Sequence, residues 1–111
     1  AARLPELGAH GLARCLWAEA RLGRRQSALL EPLEARLASE AAELMAQDLG
    51  DALWAEARLG RRASELVPVL EQQAAEGAMR FAASQVARVI WAEAQLERHP
   101  SPLLPALGPQ L

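Results

Sequence analysis

The side chains best suited to chemistry in this chain are arginines, and they recur at fixed positions. The segments LWAEARLGRR at 16–25 and 53–62 are identical, and IWAEAQLERH at 90–99 is a third version of them. Trp17, Trp54 and Trp91 are therefore each 37 residues apart. Because a guanidinium group binds phosphate oxygens through paired hydrogen bonds, a regular row of arginines is suited to hold a polyanion.

A helical repeat must position these side chains. Hydrophobic residues make up 51% of the chain, and most of them are Ala and Leu, with one Phe and no Tyr, which favours helices over strands. We predict an all-α single domain over 1–111, an α-solenoid of antiparallel helix pairs with a 37-residue repeat. Its units cover about 7–43, 44–80 and 81–111, and the last is truncated. The same spacing places Leu7, Leu44 and Phe81 before each Trp and Ser27, Ser64 and Ser101 after it.

Each unit reads as a helix A followed by a helix B. In the second unit, helix A is predicted from about Ala46 to Leu59 and ends near Gly60, with arginines at its negative end. Gly23 has the same place in the first unit, whereas the third has Glu97, so there we expect Pro100 to end the helix. Helix B is predicted to open with a serine N-cap, Ser27 or Ser64, and to be kinked or delayed by Pro32 or Pro68. The third helix B, from Ser101 to about Leu107, is predicted to be short.

On a helical wheel, helix A divides into three arcs. The first is apolar and is predicted to form the core; it contains Leu12, Leu16, Leu22, Leu49, Leu53, Leu59, Val86, Ile90 and Leu96. The second combines each Trp with small residues and predicts a buried indole against a closely approaching helix. Glu19, Glu56 and Glu93 fall within the apolar arc, so we expect each to meet a cation or a hydroxyl in a repeated polar contact between helices A and B.

The third arc is polar and mostly basic. It contains His10, Arg14, Arg21 and Arg25 in unit one, Gln47, Asp51, Arg58 and Arg62 in unit two, and Ser84, Arg88, Gln95 and His99 in unit three. The net charge is −2, but the acids Glu31, Glu34, Glu40, Glu43, Glu65, Glu71 and Glu76 lie in or just after helix B. The pattern predicts a basic face backed by an acidic one, which would suit phosphate. The alternative interpretation is a solvated face whose arginines only complement the helix dipoles.

Other chemistries have little support in the residues. Cys15 is the only cysteine, which excludes an internal disulfide and a cysteine-based zinc site. There is no Gly-rich phosphate loop and no nucleophile paired with a base, so no catalytic residue, metal or cofactor is predicted. No segment reaches the roughly 20 apolar residues of a membrane span, and we expect none.

The segment LMAQDLGDALWAEARLG at 44–60 resembles the signature of octotricopeptide repeats and of their relatives, the heptatricopeptide repeats, whose units are paired helices of about 37 or 38 residues. The matching residues are Leu44, Gln47, Asp48, Leu49, Leu53, Trp54, Ala55, Ala57, Leu59 and Gly60. Units one and three repeat the Trp-Ala-x-Ala-x-Leu core, so the resemblance covers about 7–111. Two features depart from the family pattern: the glutamate after Trp-Ala, and Asp51 within the basic strip.

This resemblance implies a non-catalytic RNA-binding protein of an organellar ribonucleoprotein. Proteins similar to the family act in mitochondria and chloroplasts, and some are accessory subunits of mitochondrial ribosomes. We therefore expect a mitochondrial protein, or alternatively a chloroplast one, that contacts ribosomal RNA or an organellar transcript along helix A. Arg14, Arg21, Arg25, Arg58, Arg62 and Arg88 would hold phosphates, and His10, Gln47, Gln85 and Gln95 would contact base edges or 2′-hydroxyl groups.

A protein-interaction scaffold without direct RNA contact is the second hypothesis, and an enzyme is the weakest of the three. A stack of about two and a half units leaves apolar surface open at both ends, which predicts further repeats or neighbouring subunits there. Because the chain begins with Ala1 and its third unit stops part-way at Leu111, we also expect it to be a processed product or the ordered part of something longer.

Overall fold

Six α-helices in three successive pairs form the described part of the chain. The computed structural model describes residues 8–98 and 101–108, apart from the side chain of Met79. The helices are α1 (Ala9–Arg21), α2 (Leu30–Ser39), α3 (Ala46–Arg58), α4 (Leu66–Glu76), α5 (Ala83–Gln95) and α6 (Leu103–Leu107), with 3₁₀ helices at Ala41–Glu43 and Ala78–Arg80. No strand occurs in 8–98 or 101–108, so the predicted all-α class is confirmed. The predicted marker Leu7, the polar His99, the helix stop Pro100 and the end point Leu111 lie outside the described residues.

The helices form two layers. The predicted A helices are α1, α3 and α5, and α3 packs against both of the others. The B helices lie behind them: α2 packs on α1, α4 on α3 and on α2, and α6 on α4. Since each A helix begins 37 residues after the one before, equivalent residues of successive units become neighbours across the layer.

All three A helices end in the same way. Gly23 and Gly60 adopt a positive φ of 69°, and the N–H groups of the next residues, Arg24 and Arg61, donate to the carbonyl groups of Glu19 and Glu56. This is the hydrogen-bonded turn by which glycine commonly ends a helix. Glu97 takes the same conformation, with a φ of 55°, and the Arg98 N–H donates to the Glu93 carbonyl in the same way. The prediction that Pro100 ends the third helix A is therefore wrong, because α5 has already ended at Gln95.

The B helices begin later than predicted. The hydroxyl oxygens of Ser27, Ser64 and Ser101 accept hydrogen bonds from the N–H groups two residues further along, each 3.1 Å long. The serines therefore form a turn that leads into the helix, and the helices begin at Leu30, Leu66 and Leu103. Each early proline is the third residue of its helix. A proline fits there because N–H groups of the first turn have no partner within the helix.

Whether a predicted core residue is buried depends on which helices pack against it, as well as on its place on the helical wheel. Leu59 and Leu96 are buried, as predicted, but the equivalent Leu22 is 64% exposed because no helix pair precedes the first unit in the described chain. The predicted burial of the indoles is likewise wrong: Trp17 and Trp54 are half-buried and Trp91 is 39% exposed. Trp17 and Trp54 contact each other, with ring centroids 6.4 Å apart.

Two buried carboxyl pairs, each closed by an arginine, join successive helix pairs. Arg61, just after α3, donates from Nε and Nη2 to the two carboxylate oxygens of Glu34 in α2, over 2.8 and 2.7 Å. Arg98 binds Glu71 of α4 identically, over 2.9 Å in both hydrogen bonds. These arginines and glutamates are 27 residues apart in both cases, so the same contact forms at both unit boundaries.

A second glutamate completes each of these clusters. Glu56 and Glu93 are 0% and 2% exposed, and burial followed by the contact with the neighbouring carboxylate raises the pKa of Glu56 to about 9 and that of Glu93 to about 8. Burial also acts to raise the pKa of Glu34 and of Glu71. The hydrogen bonds from the arginine and from the protonated partner outweigh that effect, so these two pKa values are lowered.

The polar contact predicted for Glu19, Glu56 and Glu93 takes three forms. The hydroxyl of Ser101, just before α6, donates to Glu93 as predicted. Glu56 faces an acid, Glu34 of the preceding B helix, and burial together with that contact raises the pKa of Glu56. Glu19 is buried, and its Oε2 atom lies 3.5 Å from Nη1 of Arg24. The prediction that Glu34 and Glu71 belong to an outer acidic face is wrong, because both are buried at the unit boundaries.

We expect the stability of the chain to fall as the pH rises from about 5 to about 9. In this range folded Glu56 keeps a proton that it releases on unfolding, because its pKa lies near 9 in the folded chain and near 4.5 otherwise. Rising pH therefore favours the unfolded chain, at about 1.4 kcal/mol for each unit of pKa difference. The lowered pKa of Glu34 acts oppositely, so its contribution is lost only as the pH falls below about 4.5.

The substitution Glu56→Gln should flatten this dependence, since an amide can donate to Glu34 without titrating. Urea unfolding at several pH values measures the effect as the difference between the variant and the original chain. Glu65→Gln, which changes an exposed glutamate, is the matched control and should leave the slope unchanged. Equal slopes for the original chain and Glu56→Gln would show that Glu56 does not hold a proton.

Candidate nucleic-acid interface

The predicted basic strip lies on the outer edge of α1, α3 and α5. All but one of its ten predicted contact residues are exposed, and Gln85 is half-buried; the exposed ones are His10, Arg14, Arg21, Arg25, Gln47, Arg58, Arg62, Arg88 and Gln95. The strip runs along the A helices, from a polar end at the helix N-termini to a basic end at their C-termini. The two ends differ in how many of their polar and charged side chains already have a partner within the fold.

Asp51 of α3 lies between two arginines at equivalent positions of its neighbours. Its carboxylate accepts a 2.7 Å hydrogen bond from Arg88 Nη1 of α5, and its other oxygen lies 4.0 Å from Arg14 Nη1 of α1. Gln47 donates to both carboxylate oxygens from one turn earlier. Asp51 is only 2% exposed, so it does not interrupt the surface as the sequence suggested. It instead joins three A helices beneath the surface and neutralises part of the charge of Arg14 and Arg88.

The N-terminal end of the strip is also internally paired. His10 Nδ1 lies 2.6 Å from a carboxylate oxygen of Asp48, a buried residue that also accepts from the Met45 N–H at the start of α3. Gln85 donates to the side-chain oxygen of Gln47 and accepts from the Ala82 N–H. Two of these contacts, His10–Asp48 and Gln85–Gln47, join successive A helices. The other two bond the first turns of α3 and α5. The groups engaged in these contacts have less capacity left for a ligand.

The C-terminal end of the strip holds the open charges. Arg62 forms a 2.7 Å ion pair with Glu97 of the next unit. Arg21, Arg25 and Arg58 are exposed, and none of them has an acidic partner among residues 8–98 and 101–108. We call these three the open arginine cluster. Since the last turns of α1 and α3 lie at the same end of adjacent helices, the cluster forms one basic patch, with Gln95 in the equivalent place on α5.

Tryptophan rings lie beneath some of these arginines. The guanidinium groups of Arg14 and Arg21 lie 4.8 and 5.1 Å from the centroid of Trp17, and that of Arg58 lies 5.6 Å from Trp54. The two indoles are in contact, with ring centroids 6.4 Å apart and planes tilted by 36°. Such distances are typical of cation–π stacking, which fixes a long side chain and leaves its charge outward.

The sequence contained a signal for these stacks that the wheel did not use. Arg14 lies three residues before Trp17, and Arg21 and Arg58 lie four residues after Trp17 and Trp54, which are the spacings of side-chain neighbours on a helix. The helical wheel placed the indoles in a buried arc, apart from the polar arc. In the structure Trp17 and Trp54 are only half-buried, so they belong to the candidate interface.

In 8–98 and 101–108, no three His, Cys, Asp or Glu side chains are grouped so that they could hold a metal ion. Over the same residues, every helix is too short or too polar to span a bilayer.

No protein-family model, curated protein or solved structure matches this chain. The resemblance to octotricopeptide and heptatricopeptide repeats therefore stays a prediction from the residues themselves.

We expect Asp51→Asn to destabilise the chain by about 1–3 kcal/mol. The amide keeps one acceptor oxygen but has no charge for Arg88 and Arg14, and its NH₂ group cannot accept a hydrogen bond from Gln47. Arg14→Gln is the matched comparison, since Arg14 makes the longer ion pair with Asp51, at 4.0 Å, and its side chain is more exposed. This change should destabilise the chain by less than about 1 kcal/mol. Chemical unfolding of both variants measures the difference. A larger loss for Arg14→Gln than for Asp51→Asn would contradict a structural role for Asp51.

Proposed function

We propose that this chain is a non-catalytic RNA-binding protein, an α-solenoid of 37-residue units whose A helices hold the RNA. The observation that carries the proposal is the open arginine cluster, Arg21, Arg25 and Arg58, of which two members are stacked on indoles. A cation whose charge is not used within the fold, and whose side chain is already held in place, is well prepared to bind a phosphate. RNA supplies such phosphates at a regular spacing.

Single-stranded RNA fits this surface better than a duplex. Proteins that bind single strands combine a basic track for the backbone with aromatic rings or guanidinium planes on which bases stack. The Arg–Trp stacks provide both kinds of group within one helical turn. Gln95 and the half-exposed edges of Trp17 and Trp54 lie beside the cluster and are suited to contact base edges and faces.

The family resemblance supports a more specific form of the proposal. Proteins similar to octotricopeptide and heptatricopeptide repeats act on organellar RNA, so we propose a mitochondrial ribonucleoprotein, with an accessory place in the mitochondrial ribosome as its most specific form. A chloroplast complex is the alternative. Of the ten residues predicted to contact RNA, we rank Arg21, Arg25 and Arg58 first, because Arg14, Arg62, Arg88 and His10 are engaged within the fold.

We expect the double substitution Arg21→Gln and Arg58→Gln to lower the affinity for a single-stranded RNA by about tenfold or more. Each neutralised phosphate contributes about 0.7 to the slope of log affinity against log salt concentration for single strands, so that slope should fall by about 1.4. Fluorescence anisotropy over a salt series measures both quantities. The stability should change little, since both side chains are exposed.

Arg36→Gln is the control for this experiment. Arg36 lies on α2, in the layer behind the A helices, where it bonds Glu40 one turn away, so the change removes a positive charge from another part of the surface. Its RNA affinity should stay within about twofold of the original. The control removes one charge and the double variant removes two. A loss of log affinity in the control that is half as large as in the double variant, or larger, would mean that only net charge matters, and it would refute the assigned face.

A protein-interaction scaffold is the second candidate, and the exposed apolar side chains at the two ends favour it. Leu22 of the first unit is 64% exposed and Trp91 of the third is 39% exposed. If this reading is correct, binding partners should remain after nuclease treatment and should be lost on Leu22→Gln or Trp91→Gln. The Arg21 and Arg58 double variant should then keep them.

A further inference from the structure

The three members of the open arginine cluster differ in what lies beneath them. Arg21 and Arg58 lie over indole rings, 5.1 and 5.6 Å from the ring centroids. Arg25 lies over no ring among the described residues, although all three arginines are exposed. The cluster therefore combines two stacked cations with one unstacked cation, and the two kinds are suited to different parts of an RNA strand.

Arg58 is exposed although its helix has a neighbour on each side. α3 packs against both α1 and α5, and Trp54, which lies beneath Arg58, is half-buried and in contact with Trp17. The exposure of Arg58 is therefore a property of the packed row of A helices. Arg21 has the equivalent place in the preceding unit, 37 residues earlier.

The indoles beneath these arginines have little free face. Arg14, three residues before Trp17, and Arg21, four residues after it, lie 4.8 and 5.1 Å from its ring centroid. On a helix these two positions lie on opposite sides of Trp17 along the axis, so the indole lies between two guanidinium groups. Trp54 contacts both Arg58 and the tilted ring of Trp17. A base that approaches this surface thus meets a guanidinium group before it meets the face of an indole.

A guanidinium group can bind two parts of a nucleotide at once. Its N–H groups point outward within its plane and donate to phosphate oxygens, while its flat faces stack on π systems. Where one face lies over an indole, the opposite face is left for a nucleobase. Unpaired bases stack on arginine planes in this way in proteins that bind single strands.

We propose, on the basis of the proposed RNA-binding function, that Arg21 and Arg58 are base-stacking residues, each holding one unpaired nucleobase on the guanidinium face opposite its indole. The N–H edge of the same group holds the adjacent phosphate. Trp17 and Trp54 are positioning residues that fix the guanidinium planes, and Arg25 binds phosphate alone. The site thus distinguishes an unpaired strand from a bare polyanion, because only a base can cover the open face.

The substitution Arg58→Lys separates the two roles, because lysine keeps the charge but has no plane on which a base can stack. The affinity for decaadenylate RNA should fall about fivefold or more, while the slope of log affinity against log salt concentration stays the same. Arg25→Lys is the matched control, since it changes an exposed arginine of the same cluster that lies over no ring. Its affinity should stay within about twofold of the original, as measured by fluorescence anisotropy.

A strand of the same length that has ribose and phosphate but no bases tests the stacking from the side of the RNA. It should bind the original chain about tenfold or more weakly than decaadenylate, because both stacked bases are lost. Arg58→Lys should not weaken its binding further. The two changes are therefore expected to be non-additive, as for groups in direct contact.

The NMR signal of the Arg58 Nε–H group supplies a readout that a purely structural role would not change. A base stacked on the guanidinium plane shields this proton, so its signal should move upfield when decaadenylate binds. The strand without bases should not produce this shift. The corresponding signal of Arg25 should not move upfield with either strand.

Two substitutions at Trp54 test its positioning role. Trp54→Phe keeps an aromatic ring beneath Arg58 and should keep most of the affinity for decaadenylate. Trp54→Leu removes the ring and should lower that affinity about as much as Arg58→Lys does, without changing the affinity for the strand that lacks bases. Urea unfolding checks that both variants fold, and Arg58→Lys decides the question if Trp54→Leu does not, since the Arg58 side chain is exposed.

The failure of this site and the failure of the proposed function give different results. If the original chain binds both strands equally, or if Arg58→Lys binds decaadenylate as well as the original chain does, base stacking is overturned and phosphate binding remains. If neither strand binds the original chain even at low salt, the proposed function is overturned, and the stacking site with it.

Discussion

The structure depends on one buried contact made twice, in which an arginine closes a pair of glutamates at the boundary between successive helix pairs. Bringing two carboxyl groups into a buried space is unfavourable unless one of them keeps its proton and the other meets a cation. Glu56 and Glu93 take the first role, and Glu34 and Glu71 take the second, held by Arg61 and Arg98. A contact with such strict requirements allows few relative positions of the helices that carry it. The apolar residues around it add burial but little directional preference.

The register of the A helices follows from that contact. Once each helix pair is fixed on the previous one, positions 37 residues apart lie side by side, and the Arg14–Asp51–Arg88 row and the Trp17–Trp54 contact become possible. The candidate interface is thus a surface consequence of the boundary clusters. Arginines act at both levels. Arg61 and Arg98 form ion pairs within the fold. The open arginine cluster does not: two of its members lie four residues after an indole, and the third lies just past the end of α1.

Local features of the fold were predictable from the sequence, and features set by neighbouring units were less so. The bounds of α3, its glycine end and the periodic apolar arc follow from short-range spacing, and the structure confirms them. Leu22 and Leu59 show the limit, since identical decapeptides place one in solvent and the other in the core. The burial of Glu34 and Glu71 was also missed, because a glutamate on a helix surface gives no sign of the arginine 27 residues later that binds it.

The two arginines that follow the helix-ending turns of units one and two show how one sequence supplies both stability and an exposed charge. In the turn, the N–H of the first arginine bonds back to the carbonyl of the glutamate two residues after the Trp, which returns its side chain toward the buried carboxylates. The second arginine continues away from the helix, so Arg25 remains exposed, and Arg62 reaches only the exposed Glu97. Position relative to the turn therefore decides which guanidinium group is structural. Composition alone would give the two consecutive arginines the same role. Only the first arginine is required to join the helix pairs.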